Sequence, residues 1–280
     1  SFRRMVANGL YWAADREVAR KPLPDIAPRP VPSGTLSFPV RTRQPADGDD
    51  EWAEGTEAVA IPVAETAIVI CDMWDKHWCG PASAWVDAKA PEMNALVAAA
   101  REAGVLIVHA PSNTLGFYQD TIPRRRAQAA PATEPREVFS VDNEPPLPID
   151  DSDEGCPDDQ YRQYSAWSRQ HKAIEIADTD IVSDDGREVY NVLADAGIGH
   201  IIYLGVHTNM CILNRSFAIR QMRRWGMECY LVRDMTDSMY NPAMPPYVSH
   251  DEGTELVVQH IEKYWAPSLL SADLLAGLPE

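Results

Sequence analysis

Cys211 follows an apolar run and a turn, Leu204-Gly205-Val206-His207-Thr208-Asn209-Met210-Cys211, and precedes a stretch with helical apolar spacing from Ile212 to Trp225. A cysteine in the first turn of a helix faces unpaired backbone N–H groups and the positive end of the helix dipole. Both lower a thiol's pKa and prepare the sulfur to attack a carbonyl. The same N–H groups can hold the oxyanion formed by that attack. A lone cysteine is ordinarily a small buried filler. Here the polar residues that close other apolar runs, Asp72, His109 and Asp234, favour a nucleophile.

The elements that must position these groups follow from the same runs. Ala67 to Met73, Val105 to His109, Ile201 to Gly205 and Cys229 to Asp234 read as strands buried on both faces. Helical spacing occurs at Met93 to Ala103, Gly186 to Ala196, Ile212 to Trp225 and Gly253 to Trp265. Strand and helix in alternation predict an α/β fold with a three-layer α/β/α, doubly wound, mostly parallel sheet, in which ligands sit beyond the carboxyl ends of the strands. Ala173 to Ile176 reads as a weak further strand. Residues 1–65, punctuated by proline and with an acidic turn-rich run from Asp47 to Glu54, read as an N-terminal extension. That extension is expected to hold a short helix around Met5 to Val18 and an extended segment around Thr35 to Thr42. Residues 66–280 then form the main domain, with a long insertion around 112–171.

A formal net charge of -17 opposes binding to nucleic acid or anionic membranes, and the one basic cluster, Arg124-Arg125-Arg126, reads as solvated surface. No apolar run reaches the ~20 residues that span a bilayer. The expectation is a soluble, cytoplasmic chain, with export left open by its start at Ser1. Five cysteines form no framework spacing, which argues against a disulfide scaffold.

Two segments carry a family resemblance. Ile70-Cys71-Asp72-Met73-Trp74-Asp75 resembles the first-strand Asp-Met-Gln motif of the isochorismatase-like cysteine hydrolases, which include nicotinamidases and other small amidases. Gly205-Val206-His207-Thr208-Asn209-Met210-Cys211 is similar to that family's nucleophile signature, and the likeness runs roughly from Ala67 to Trp265. The resemblance implies Cys211 as nucleophile and Asp72 as the carboxylate that takes and returns its proton. It also implies a non-proline cis peptide at Val206-His207, aiming the N–H groups of His207 and Cys211 into one oxyanion hole. A family lysine belongs near the carboxyl end of the strand before the nucleophile strand. Lys172 is the nearest by order but falls at the amino end of the expected strand. Lys76 from the loop after Asp72, or a site without lysine, are the alternatives.

The nicotinamidase metal motif, an Asp-x-His pair, is absent around His109, so neither metal nor cofactor is expected. Asp75, His77 and Cys79 alternate suggestively, but alternation in a loop reads more simply as a polar rim. Trp74, His77, Trp78, His109 and Tyr118, with Phe117, are expected to wall a pocket for a small, partly apolar amide. The reaction implied is hydrolysis of a carbon–nitrogen bond through a thioester at Cys211. The alternatives are a vinyl-ether hydrolase, a metal-dependent hydrolase near His77 and His109, and an inactive binding or assembly module. A homo-oligomer is expected because such proteins commonly associate.

Overall fold

The computed structural model describes residues 32–46, 51–158 and 162–279. The helix expected between Met5 and Val18 lies outside them. Among the described residues one eight-stranded sheet forms, from β1 (Thr35–Pro45), β2 (Trp52–Pro62), β3 (Thr66–Cys71), β4 (Leu106–Ala110), β5 (Ile181–Val182), β6 (His200–Val206), β7 (Glu228–Asp237) and β8 (Ser268–Leu269). Their order is β2-β1-β8-β7-β6-β3-β4-β5. Pairing is parallel from β8 to β5, whereas the β1–β2 hairpin joins antiparallel through Arg41 and Ser268.

All six residues of β3 are buried, which is why its sequence carries no polar alternation. Ala67, Val69 and Cys71 face one core with Val189 and Leu193 of α4 (Gly186–Asp195), Met222 of α6 (Ile219–Arg224), and Val257 and Ile261 of α7 (His250–Tyr264). Ile68 and Ile70 face the other, with Met93 and Val97 of α1 (Gly80–Glu102) and Leu274 of α8 (Ser271–Ala276). Helices thus cover both faces. The remaining helices are α2 (Leu115–Tyr118), α3 (Ile122–Ala129) and α5 (Cys211–Asn214). No described helix is long and apolar enough to cross a membrane.

Several elements differ from the sequence expectation. Helix α1 begins at Gly80 rather than Met93, running through Pro91, a residue that ordinarily ends a helix. Ala173 to Ile176 is no strand, because side chains of α1 occupy its backbone: Asn94 Oδ1 accepts from Glu175 N at 2.8 Å and Arg101 Nη2 donates to Glu175 O at 3.1 Å. The strand there is instead the two-residue β5, pairing Ile181 with Val108 and Val182 with His109. The acidic run read as turn becomes strand at Trp52, and the hairpin docks by pairing Arg41 and Arg43 with the buried Glu262. Helix Ile212 to Trp225 is broken. Its chain leaves the helix at Arg215, burying Phe217 and letting Phe217 O accept from Tyr203 Oη at 2.8 Å.

The long middle segment is held at both ends of its course. Glu144 accepts from His260 Nε2 at 2.8 Å and Trp265 Nε1 at 2.7 Å. A disulfide joins Cys79 to Cys156, a single staple rather than a scaffold; Cys71, Cys211 and Cys229 are free thiols. The segment returns across the carboxyl end of β3, where His171 N donates to Met73 O at 2.7 Å and Asp75 N to Arg169 O at 2.9 Å. Ser168 N closes this strap on Asp75 Oδ1 at 2.8 Å.

Candidate active site

Asp72 emerges from β3 with φ of 48° and is fully buried. Its Oδ1 accepts from Ser112 N at 2.7 Å and its Oδ2 from Arg215 Nε at 3.1 Å. The Cys211 thiol lies within hydrogen-bonding range of the same carboxylate. Burial raises the Asp72 pKa above the ordinary carboxylate range, against the opposing pull of Arg215, Cys211 and Ser112.

Cys211 opens α5 directly after β6, as expected, and the Val206–His207 peptide is cis. The turn between them is fastened to the end of β7. Thr208 N donates to Asp237 O at 2.9 Å, and Asn209 spans to Met239 with Nδ2 to O at 3.0 Å and Oδ1 from N at 2.9 Å. The N–H groups of His207 and Cys211 have no backbone acceptor among the described turns and loops, and His207 N–H reaches the Cys211 sulfur. Neither donor is committed to a backbone acceptor, so both can turn to a ligand oxygen beside Cys211.

The resting charge of the sulfur differs from the sequence expectation. Burial first, then the neighbouring Asp72, pushes the Cys211 thiol up to about 12. A helix of one turn sums too few peptide dipoles to offset that desolvation. The thiol is thus the resting form, and its proton has one adjacent acceptor, Asp72.

The cation beside this pair is Arg215, which the sequence reading missed. Lys172 sits exposed in the turn after the strap, and Lys76 is exposed as well. The residue at the carboxyl end of β5, where the resemblance places lysine, is Ser183, bonded to Glu188 at 2.6 Å. Arg215 lies four residues after Cys211, the spacing that brings side chains to one face of a helix, and this was the available signal.

Of the expected pocket residues, Trp74, His77 and Trp78 come together, beside His207 of the expected oxyanion turn. His77 stands 5.8 Å from Trp74, 4.9 Å from Trp78 and 5.1 Å from His207 between ring centroids. Trp167 of the strap, not anticipated, stacks on Trp74 at 4.4 Å. His109 does not join them. It is fully buried, with Nδ1 3.0 Å from Gln170 Oε1 and Nε2 3.0 Å from Asp180 Oδ2, where it braces the strap. Tyr118 Oη accepts from Gln170 N at 2.7 Å and does the same work; Phe117 is exposed. Asp75, His77 and Cys79 do not converge, since Asp75 binds the strap and Cys79 is disulfide-bonded. Among the described residues no group of three or more such side chains is placed to hold a metal ion.

Burial lowers the pKa of both His77, to about 4, and His207. His77 Nδ1 accepts from Cys79 N at 3.1 Å, so its proton resides on Nε2. An unfolded histidine titrates near 6.5, so as pH falls the unfolded chain takes up protons before the folded one does. The stability contributed by neutral His77 is complete above pH 6.5 and drains as pH falls towards about 4. That gap corresponds to roughly 3 kcal/mol. Urea midpoints of the wild type are expected to fall over this window, and His77→Gln should flatten the fall. An unchanged slope would refute the assignment.

The sequence matches the family described as the isochorismatase domain over residues 66–243. No curated protein sequence matches the chain. Among solved structures, a cysteine hydrolase from Pseudomonas syringae pv. phaseolicola 1448A is similar, with a TM-score of 0.52 at 17% identity, over 78% of this chain and 94% of that one. An isochorismatase family protein from Burkholderia thailandensis aligns with a TM-score of 0.45 at 16% identity, over 77% of this chain and 96% of that one. At these identities the structural likeness concerns the fold.

Proposed function

This chain belongs to the isochorismatase family, whose fold it shares with a cysteine hydrolase, and on that premise we propose that it hydrolyses a carbon–nitrogen bond of a small amide through a thioester at Cys211. The observation that carries this reading is the buried Asp72, which holds the Cys211 thiol on one side and the Arg215 guanidinium on the other.

The chemistry follows from that arrangement. Asp72 takes the thiol proton as the sulfur bonds to the amide carbon, and the carbonyl oxygen, now an oxyanion, meets the N–H groups of His207 and Cys211. Asp72 returns the proton to the nitrogen as the carbon–nitrogen bond breaks, leaving an acyl–sulfur ester. A water then attacks the ester with Asp72 as base, releasing the acid and restoring the thiol. Arg215 cannot exchange protons at these stages, because a guanidinium stays charged; it offsets the negative charge that passes between carboxylate and sulfur. A raised carboxyl pKa suits this cycle, since the group must hold a proton and surrender it within one turnover.

The test is intact-mass and peptide-mass analysis after acid quenching during turnover of a panel of small amides. An acyl adduct confined to the peptide containing Cys211 is the expected result. Turnover with no adduct on Cys211 under rapid quench would sink the thioester reading and leave Asp72 as a proton donor, the chemistry a vinyl-ether substrate needs.

A further inference from the structure

Two arginines of this protein each hold one carboxylate by paired bonds. Arg101 meets Asp180 with Nε to Oδ1 at 2.9 Å and Nη2 to Oδ2 at 2.8 Å, and Arg124 meets Glu188 through both Nη groups. Arg215 does not. Its Nε alone donates to Asp72 Oδ2, while Asp72 Oδ1 accepts from Ser112 N. A guanidinium carries five N–H donors, so four remain, and among the described residues neither Nη of Arg215 has a partner. The side chain is about two-thirds buried, with a relative exposure of 34%. The charge also acts on the nucleophile itself, as it is felt at both Asp72 and the Cys211 sulfur.

We propose that the two unpaired Nη groups of Arg215 receive a carboxylate of the substrate, so that the amide cleaved at Cys211 belongs to a small acid whose carboxylate lies close to the scissile carbonyl. The proposal rests on Cys211 being the nucleophile. Planar, two-pronged recognition of a carboxylate is what an arginine fork supplies and a lysine does not. The neighbouring histidines do not compete for this role: His77 and His207 stay neutral and offer hydrogen bonds without charge. Beside the turn that carries His207, Trp74, Trp167 and Trp78 gather around His77, whose ring lies 5.1 Å from that of His207. The ligand expected is thus a small acid anchored by its carboxylate at Arg215, in a protein whose overall charge of -17 otherwise opposes anions.

A matched pair of alkylating reagents tests this without knowledge of the natural substrate. Iodoacetate and iodoacetamide differ by a carboxylate against a neutral amide, and both leave a mass tag on cysteine. Second-order labelling rates at Cys211 are measured by peptide mass for the full chain, with glutathione as the free-thiol reference. The expected preference for iodoacetate over iodoacetamide exceeds that of glutathione by about tenfold or more, the scale of one or two charge-assisted hydrogen bonds. In the wild type, acetate should protect Cys211 from labelling and acetamide at equal concentration should not. Arg215→Gln should return the preference to the glutathione value. Protection by acetate in the wild type decides the matter independently if that variant fails to fold. A wild-type preference equal to that of glutathione, with Cys211 still labelled, overturns the carboxylate assignment and leaves the hydrolase reading standing. Absence of labelling by either reagent overturns both.

Discussion

Asp72→Asn is expected to lower kcat by ~10³ to 10⁴, near the upper end of what a positioned acid–base group contributes, while KM changes little. The carboxylate is the thiol's adjacent proton acceptor, and the thiol is held protonated by its surroundings, pushed up to about 12. An amide in its place can take no proton, so attack would proceed from the rare thiolate alone. The pH profile separates this loss from a structural one. In the wild type, activity should climb with pH as Asp72 ionises, above the ordinary carboxylate range because burial raises its pKa. Residual activity of the variant should lack that limb. A variant retaining both the limb and a tenth of wild-type kcat would remove Asp72 from the mechanism. Thermal unfolding supplies the control, because the amide must place its single oxygen against either Ser112 N or Arg215 Nε and leave the other donor facing its NH₂ group.

How much of this site could be read from residues alone depends on the length of the signal each part leaves. The central strands were legible because β3, β4, β6 and β7 are runs of five to ten residues, largely buried, whose apolar content admits few other readings. Asp72 and Cys211 were legible because they close or follow such runs. Two-residue β5 leaves no periodic trace, whereas the preceding Ala173 to Ile176 has the apolar alternation of a strand without being one, and Lys172 before it is exposed. Arg215 was hidden by a different ambiguity. Apolar spacing from Ile212 to Trp225 fits one helix, and nothing local announces that the chain will leave it to bury Phe217 against Tyr203. The disulfide was illegible because Cys79 and Cys156 are 77 residues apart, and proximity over that distance is a property of the finished fold. The aromatic wall was half visible: Trp74, His77 and Trp78 share one loop, but Trp167 reaches them only because Asp75 draws the strap across the end of β3.

Gly205→Ala should destabilise the protein by about 4 kcal/mol or more, enough to abolish soluble expression of a marginally stable domain. Gly205 has φ of +112°, a region closed to side-chain-bearing residues, and a Cβ built there would stand 2.1 Å from Cys71 O. Neither partner can yield. Cys71 belongs to β3, paired in register with both β4 and β6, and the residue after it is Asp72. On the other side Gly205 pairs with Thr236 of β7 after a register shift, and the residue after it begins the cis peptide that leads to Cys211. The glycine therefore sits where the strand that ends at Asp72 lies against the strand that leads to Cys211, and its missing side chain avoids a clash with Cys71 O. A urea unfolding midpoint within experimental error of wild type for Gly205→Ala would show that the strands can separate without penalty. If the variant folds with a reduced midpoint, its kcat should fall further than its stability implies, because any movement that relieves the contact with Cys71 also shifts Asp72 away from the thiol.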